Sequence, residues 1–430
     1  MEQIFAVVIL SAIIISFIKF KYGIAIYVAY FFLVPYLQVN IGVSLSYNFV
    51  YLLLFAVFVL FHRILNHNKI DVSPILPFII YFVCFFVMTP MQNGLPFFDQ
   101  VNNLRIDFLS VVILPLIMWN VMKVDKNSVF LFENILLFCI TVACIYGVFL
   151  TQMPGINPYI FWVNGLMGID DNEEWLMAED GGRLFGRISS VFLHPMNYAI
   201  FLGMSFILLL SLWGRKNKIV VVTVFLLVLL NMVICGVRSV IVGAGITYIY
   251  YIVKGKHYRL AFYSFLLGLI VILTIGVSSG FSDYIGSIAS SDSDGLKGAS
   301  SLDLRLAQLE GSFVEIKDCF FQGKGYGWTG YYWATKGPHP TMLGFESLIF
   351  VILCNAGLLG FLIWWIFLKK MYDCVFKIAK DNSLFIECLI LFFIVFCCIT
   401  GLYNYMRYYV VFYIIMLGRE YHVNEIKVNE

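Results

Sequence analysis

Residues 301–360 read SLDLRLAQLEGSFVEIKDCFFQGKGYGWTGYYWATKGPHPTMLGFESLIFVILCNAGLLG. This long stretch is polar and rich in possible chemistry, in a chain that is otherwise apolar, and it runs directly into an apolar segment. Its first part predicts an amphipathic helix, since Ser300 and Asp303 form a capping box ahead of regularly spaced apolar residues. The apolar residues that share one face are Leu302, Leu306, Leu309, Phe313 and Ile316.

Glycines and aromatic residues follow this predicted helix. Gly323, Gly325 and Gly327 exclude a continued helix. The GKGYG segment, with Lys324, either cradles a phosphate or forms a tight turn, and it lacks the strand-to-helix context of a P-loop. The next aromatic residues are typical of the boundary between headgroups and water; they are Tyr326, Trp328, Tyr331, Tyr332 and Trp333. His339 comes after them, just before an apolar run.

The composition places the chain among polytopic membrane proteins. Hydrophobic residues make up 61% and charged residues 13% of its 430 residues, and the mean hydropathy is +0.89. Such a chain is too apolar for a water-soluble globule. The net charge of +2 does not indicate nucleic acid as a partner. The ten cysteines are expected to pack as small hydrophobic residues rather than to bind metal or form disulfides.

Thirteen apolar runs approach the ~20 residues that a helix needs to cross a bilayer. They are 3–18, 24–39, 47–62, 74–90, 106–122, 129–151, 188–212, 219–236, 238–253, 260–280, 342–368, 384–401 and 403–418. The tight break before Arg238 and the short first two runs also allow 12. With Glu2 and no basic residue ahead of the first run, the N-terminus is expected to be a retained helix rather than a cleaved signal peptide.

The predicted fold is therefore an all-α polytopic membrane protein with about 12–13 transmembrane helices and two long outer loops. The layout is N-terminal transmembrane helices over 1–151, a first outer loop over 152–187, central transmembrane helices over 188–280, a large outer loop with the amphipathic helix over 281–341, C-terminal transmembrane helices over 342–418 and a cytoplasmic tail over 419–430.

Basic residues are concentrated in one alternate set of mostly short loops. Of the 28 lysines and arginines, this set holds Lys19, Lys21, Arg63, Lys69, Lys123, Lys126, Arg215, Lys216, Lys218, Lys254, Lys256, Arg259, Lys369, Lys370, Lys377, Lys380, Arg419 and Lys427. The positive-inside rule makes these loops cytoplasmic. The two long loops then face the periplasm or the exterior, so ATP and nucleotide sugars are not expected as direct substrates.

Polar residues collect where the first outer loop re-enters the membrane. Arg183 and Arg187 approach the membrane, and His194 and Asn197 lie at or inside the expected start of a helix. Polar groups at this depth must find partners. They either satisfy one another and the backbone at Pro195 or bind a ligand.

Two acidic patterns carry less weight as metal sites. The cluster over 170–180 is interpreted as a solvated loop tip rather than a cation site. Asp292-Ser293-Asp294 has the Asp-x-Asp form of a metal–nucleotide site but lies in a serine-rich, low-complexity run, which produces this pattern by chance.

Three basic residues far apart in the sequence fall on the outer side. Arg238, close to the hydrocarbon, either snorkels or faces a cavity and meets an anion. Arg305 lies beside the apolar face of the amphipathic helix, and His339 is either a simple loop histidine or a functional one. Arginine suits phosphate because its planar fork donates two parallel hydrogen bonds, and histidine serves as a general base or holds a hydroxyl. Together they suit displacement of a diphosphate by a sugar hydroxyl.

Four motifs resemble, in their order, the bacterial O-antigen polymerase and O-antigen ligase superfamily. They are RISSVFLHPMN at 187–197, CGVRSV at 235–240, LRLAQLEGSFVEIKDCFFQGKGYG at 304–327 and GPHPTMLGFESLIFVILCNAGLLG at 337–360. Residues 1–150 resemble the family only in hydropathy. The resemblance implies a GT-C-like, inverting glycosyltransferase that uses undecaprenyl diphosphate-linked sugars and needs neither a metal nor another cofactor.

The resemblance also implies roles for single residues. Arg238 and Arg305 match essential arginines of the family and would hold the diphosphate. His339 matches a histidine that precedes the helix after the large loop, and it would activate or position the acceptor hydroxyl. Further residues are expected to bind substrate: Arg183, Arg187, His194, Asn197, Lys324, Glu346 and Arg407.

The chain departs from the family pattern at two places. His339-Pro340 stands where the family has His-Asn, and Asn355-Ala356-Gly357 stands where it has Glu-x-Gly. Glu346, seven residues after His339 and expected near the same helix face, is the candidate for the missing carboxylate.

The predicted function is polymerisation of undecaprenyl diphosphate-linked repeat units into O-antigen, capsular or exopolysaccharide at the outer face of the bacterial cytoplasmic (inner) membrane. Donor and acceptor are both lipid-linked oligosaccharides, and a chain-length regulator and a flippase are candidate partners. Two alternatives remain open: a ligase that transfers polymer to lipid A core, and a lipid-linked oligosaccharide flippase or transporter. A structural or receptor role would leave the three outward basic residues unexplained.

Replacing Arg305 with lysine is expected to remove most polymerisation, because lysine keeps the charge but loses the two parallel hydrogen bonds of the guanidinium. Polymer length on gels measures this, in cells where the variant is the sole copy. Polymer of near-normal length would contradict the assigned role.

Overall fold

The structure, a computed structural model, describes residues 2–34, 39–40, 44–45, 47–153, 156–167, 187–259, 262, 302–342, 344–401 and 404–429. In these ranges the regular structure is helical apart from two short antiparallel strands, β1 (Val39–Asn40) and β2 (Ser44–Leu45), with Val39 opposite Leu45. The predicted all-α class is confirmed.

The helices follow one another in this order. The first eight are α1 (Glu2–Ile18), α2 (Phe20–Leu33), α3 (Tyr47–Phe58), α4 (Leu76–Met88), α5 (Phe97–Phe108), α6 (Leu114–Val124), α7 (Asn127–Leu150) and α8 (Pro158–Met167). The others are α9 (Pro195–Leu212), α10 (Lys218–Ile234), α11 (Arg238–Gly255), α12 (Leu302–Glu315), α13 (Trp328–Lys336), α14 (Leu348–Ala379), α15 (Leu384–Thr400) and α16 (Met406–Asn429). Helix α3 continues in π-helical turns over Val59–Leu65, and such turns over Leu109–Ile113 join α5 to α6. Short 3-10 turns cover Thr89–Met91 and Lys380–Asn382.

Four of the described helices are long and apolar enough to cross a membrane: Phe97–Val124, Asn127–Leu150, Pro195–Leu212 and Leu348–Ala379. Six apolar helices are shorter: Val7–Ile18, Phe20–Leu33, Phe49–Leu65, Leu76–Met91, Lys218–Ile234 and Leu384–Thr400. A helical membrane protein is therefore confirmed, whereas the total of 12–13 crossings stays a prediction. The run 260–280 lies, apart from Phe262, outside the described residues.

Some predicted spans begin at the wrong residue. The helix expected from 188 begins at Pro195, because His194 caps it by accepting a hydrogen bond from the Met196 N–H (3.1 Å). The helix expected from 106 begins at Phe97. Its polar first turns are stable because they find partners inside the protein: the side chain of Gln100 is buried and donates to the carbonyl of Leu95 (2.8 Å).

Charged residues pair at one end of the helices, here called the basic end. Lys21 in the first turn of α2 pairs with Asp125 ahead of α7 (2.8 Å), and Lys123 near the end of α6 pairs with Asp71 (2.7 Å). Further pairs at the ends of α9 and α16 and the start of α7 are Arg215–Glu420, Lys216–Glu133 and Arg419–Glu133. Loops that the positive-inside rule puts on one side thus meet at one end of the bundle.

The helix ends away from these pairs form the opposite end. Helix α2 ends at Leu33, whose carbonyl accepts a hydrogen bond from the Tyr159 hydroxyl (2.9 Å). Helices α7 and α10 end at Leu150 and Ile234, which pack with Ile188 in one apolar cluster. The described parts of both long loops attach at this end. Which side of the membrane it faces stays a prediction.

Helix α14 is interrupted, whereas the sequence predicts a continuous span over 342–368. Gly357 has φ 58° and ψ −150°, and the helix begins only at Leu348, where the Ser347 hydroxyl accepts from the Ile349 N–H (3.2 Å). The segment 320–325 binds to the backbone groups around the break. Its carbonyls accept from the N–H groups of Leu358 and Leu359 (3.1 and 3.0 Å), and its N–H groups donate to the carbonyls of Cys354 and Asn355 (2.8 and 3.1 Å).

Two glycines make this contact sterically feasible. Gly323 (φ 67°) faces Ala356, and Gly357 faces the carbonyl of Phe320. A Cβ at either glycine would overlap backbone atoms of the other segment. The two segments can therefore approach only because both positions lack a side chain.

Gly357→Ala is expected to destabilise the protein by about 1–3 kcal/mol, because the alanine would have a strained positive φ and its Cβ would overlap the backbone at 320–321. Thermal unfolding in detergent measures the change. Gly330→Ala in α13 is the matched control, since a Cβ there meets nothing within 4 Å. Equal unfolding temperatures for the two variants would contradict the account of the break.

Candidate functional site

His339 lies between α13 and α14 at the opposite end, and its ring is buried. Its Nδ1 accepts hydrogen bonds from the N–H groups of Thr341 (3.2 Å) and Met342 (3.1 Å). Both bonds need a lone pair on Nδ1, which leaves the ring proton on Nε2. The rings of Tyr332 and Phe345 pack around it, with centroids at 5.0 and 5.6 Å. The imidazole is thus fixed in orientation and tautomer.

The partner of the His339 Nε2 is Glu315, the last residue of α12. Nε2 lies 3.4 Å from Oε2, and the other carboxyl oxygen of Glu315 pairs with Lys324. The Lys324 ammonium lies over the ring of Trp328, 4.7 Å from its centroid. Side chains of Glu315 and Lys324 remain 26% and 22% exposed, against 8% for His339. The cluster therefore presents the carboxylate and the ammonium, not the imidazole, to solvent.

Burial of the Glu315 carboxyl disfavours its ionised form, but the ion pair with Lys324 and the bond from His339 outweigh this. The pKa of Glu315 consequently lies below its ordinary value. The carboxylate is held charged, so it suits hydrogen-bond acceptance from hydroxyl groups better than proton transfer.

One prediction about this region is wrong. Glu346 does not share a helix face with His339, because both precede the start of α14 at Leu348. The carboxylate against the imidazole is Glu315, which sequence reasoning missed. Its signal was a polar stripe at helical spacing, formed with Gln308 and Ser312, both fully buried.

The apolar face predicted for α12 is also turned partly outward. Leu306 and Phe313 are 52% and 43% exposed, whereas the polar stripe is buried. The polar stripe packs inside the protein instead, where Glu315 at its end meets Lys324 and His339.

A second cluster lies on the other side of the GKGYG turn, which carries both Lys324 and Tyr326. The Tyr326 hydroxyl donates to Oδ2 of Asp107 in α5 (2.7 Å), and the Tyr326 N–H donates to Oε1 of Gln100 (3.2 Å). The positive charge of Arg407, at the start of α16, acts on the Asp107 carboxyl. Its guanidinium also stacks on the ring of Tyr408 at 4.8 Å. Arg407 was predicted as a substrate-binding residue, whereas Asp107 was missed.

The break in α14 also explains the role of Asn355. This residue stands where the O-antigen polymerase and ligase superfamily, which the sequence resembles, has glutamate. Its side-chain oxygen accepts from the N–H of Thr329 (3.0 Å), at the start of α13. Its carbonyl accepts from Gln92 (2.9 Å). Asn355 therefore holds the loop rather than serving as a free carboxylate equivalent.

Predicted residues of the first outer loop lie at the same end. Arg187 precedes Ile188, which packs against Ile234 at the end of α10, and Arg238 begins α11 just beyond. Burial of the His194 imidazole, together with the charge of Arg187, lowers the pKa of His194 to about 4. As a helix cap, His194 forms a hydrogen bond with the backbone next to Pro195. The sequence left this role open as the alternative to ligand binding.

Asn197 and Arg238 are partly buried at this end. The ring of Phe192 packs on Tyr408 (5.8 Å), so the segment 187–194 meets the start of α16 beside Arg407. Three of the predicted arginines are thus on elements that adjoin at the opposite end.

Several predicted features fall outside what is described. These are Arg183, the side chain of Arg305, the capping residue Ser300, the acidic cluster over 170–180 and Asp292-Ser293-Asp294. The backbone of Arg305 lies in α12, ten residues before Glu315, or about 15 Å along the helix axis. The structure therefore brings His339 and Lys324 together through Glu315, which contacts both.

No protein-family model matches this chain, and no curated protein matches its sequence. The resemblance carried by residues 187–360 accordingly stays a prediction.

Acidification is expected to destabilise the protein through Glu315. Because folding holds the pKa of this carboxyl below its ordinary value of 4.5, the stabilisation is fully present above that pH and is lost as the pH falls through the folded-state pKa. Thermal unfolding in detergent from about pH 6 down to about pH 3.5 measures this loss. Glu315→Gln should flatten the profile, while Glu310→Gln, an exposed position on the same helix, should not. Parallel profiles for wild type and Glu315→Gln would contradict the role of the ion pair.

Proposed function

We propose that this protein is a metal-independent, inverting glycosyltransferase of GT-C-like architecture that polymerises undecaprenyl diphosphate-linked oligosaccharide units outside the cytoplasm. The product is O-antigen, capsular polysaccharide or exopolysaccharide. One observation carries the proposal: Lys324, Glu315 and His339 form a fixed cluster at the end opposite the basic loops. The turn that bears Lys324 also reaches Asp107, on which Arg407 acts.

The basic residues at this end suit a diphosphate leaving group. Arg407, Arg187 and Arg238 lie on elements that adjoin there. Guanidinium groups donate paired hydrogen bonds to phosphate oxygens and stay charged at any relevant pH. These arginines bind the diphosphate and stabilise the negative charge that develops as it departs. Arg305 keeps the same proposed role.

His339 is assigned a positioning role rather than that of the base. Its Nδ1 is held by two backbone N–H groups and its Nε2 faces Glu315, so the ring orients the carboxylate. Glu315 and Lys324 are the exposed members and bind sugar hydroxyls of the acceptor unit. A fixed carboxylate and ammonium side by side match the donor and acceptor character of a sugar.

In the proposed reaction, a terminal hydroxyl oxygen of one lipid-linked unit forms a bond to the anomeric carbon of the growing chain. The bond from that carbon to the diphosphate oxygen breaks, and its electron pair leaves with undecaprenyl diphosphate. Attack from the face opposite the leaving group inverts the anomeric configuration. The hydroxyl proton passes to a base of the site or to water.

A transporter of lipid-linked sugars is the second candidate, because an interrupted helix such as α14 is typical of transport sites. In transporters the freed backbone groups of the break face the transported solute. Here the segment 320–325 binds the groups of Cys354, Asn355, Leu358 and Leu359. Because the loop already binds these backbone groups, the break serves to anchor the loop and not to bind a solute. This favours the polymerase over the transporter.

The test uses purified protein in detergent with EDTA and lipid-linked repeat units extracted from host cells that lack this protein. A ladder of multiples on a gel is expected from the wild type. His339→Ala should reduce the rate by about 100-fold, since the carboxylate that it orients would be misplaced. His257→Ala is the control, because His257 is exposed at the basic end. Thermal unfolding of both variants confirms that they are folded.

Two outcomes would contradict the proposal. Transfer only on addition of lipid A core would identify a ligase. No transfer to either acceptor, with uptake of the lipid-linked unit across proteoliposomes instead, would identify a transporter.

A further inference from the structure

The proposed polymerisation needs a group that accepts the proton of the attacking hydroxyl. His339 does not supply it in this arrangement, because both of its ring nitrogens are engaged. Glu315 is a weak base, because Lys324 pairs with it directly and holds it charged. The proton acceptor is therefore a different residue of this end.

Asp107 and Glu315 differ in the side chain that binds their carboxylate oxygens. Its Oδ2 accepts from a neutral phenol, Tyr326, and within the described part of the chain no lysine or arginine pairs with it in a salt bridge. The charge of Arg407 acts on it electrostatically. A carboxylate held by a neutral donor keeps more of its basicity than one paired with an ammonium.

The position of Asp107 suits a reacting group. It is half-buried in α5, between the turn that carries Tyr326 and the start of α16. Of the other acidic side chains described at this end, Asp99, Glu310 and Asp318 are exposed to solvent. Glu346 is partly buried like Asp107, but it lies in the loop before α14 and not on a helix. Proton transfer is most effective to a base that is fixed and partly shielded from water.

The orientation of the Asp107 carboxyl is also fixed. The Tyr326 ring packs on Phe85, with centroids 5.2 Å apart, and the backbone N–H of Tyr326 donates to Gln100. Because the Tyr326 hydroxyl occupies Oδ2, Oδ1 is the oxygen left for another donor among the described residues.

We propose that Asp107 is the catalytic base of the site and that Tyr326 orients it. This inference rests on the proposed function. As the acceptor oxygen bonds to the anomeric carbon, its proton moves to Oδ1 of Asp107, while the diphosphate leaves with the electron pair of the broken bond toward Arg407. The protonated carboxyl then returns its proton to water.

The test is the polymerisation assay with the same extracted lipid-linked units, run on Asp107→Asn, Asp107→Glu and the control Asp99→Asn. Asp99 lies on the same helix but is exposed. Asp107→Asn should lower the rate by about 100- to 10,000-fold, and the glutamate variant should recover part of it. Thermal unfolding in detergent identifies any variant that fails to fold.

The pH dependence separates a base from a merely structural residue. The wild-type rate should fall on acidification as Asp107 is protonated, and this acidic limb should be absent from the residual activity of Asp107→Asn. Tyr326, Tyr81 and Arg407 face Asp107 from the turn, α4 and α16, and Arg105 lies on its own helix. All are unchanged in the variant, so loss of the limb reports Asp107.

The outcomes are distinct from those of the proposed function. A wild type that forms the ladder while Asp107→Asn keeps its rate and acidic limb would overturn this inference and leave the polymerase in place. An equal loss in the glutamate and asparagine variants, with the acidic limb retained, would also overturn it. A wild type without product overturns both.

Discussion

Backbone hydrogen bonds between the segment 320–325 and the interrupted helix α14 hold the large loop against the membrane helices. A break in a membrane helix leaves polar backbone groups that lipid cannot satisfy, at a cost of several kcal/mol each. Here the loop satisfies the groups on both sides of Gly357, so break and loop stabilise each other. Gly323 and Gly357 set the condition for this contact, because a side chain at either position would keep the two backbones apart.

The docked turn places two carboxylates with different chemistry on its two sides. Lys324 holds Glu315 as a charged acceptor of hydrogen bonds, and Tyr326 holds Asp107 through a neutral hydroxyl. In the proposed reaction, Glu315 binds the acceptor sugar and Asp107 takes its proton. Arg407, whose charge acts on Asp107, is proposed to stabilise the departing diphosphate.

The sequence predicts a helical membrane protein, because membrane-length apolar runs are a strong and local signal. His339 and Lys324 were recognisable as candidates because polar residues stand out in a chain that is mostly apolar. The break at Gly357 was not, since it depends on backbone pairing with a segment far away in the sequence. Glu315 and Asp107 were missed because only their tertiary partners distinguish them from other carboxylates of the chain.

The proposed function requires that the opposite end face away from the cytoplasm. The decisive measurement is labelling of intact spheroplasts with a membrane-impermeant maleimide, read at the peptide level by mass spectrometry. The cysteine variants are Asp318→Cys, exposed beside the site, and Lys218→Cys, exposed at the basic end. The account predicts rapid labelling at 318 and labelling at 218 only after lysis. Labelling of 218 in intact spheroplasts, with 318 protected until lysis, would put the site in the cytoplasm and contradict it.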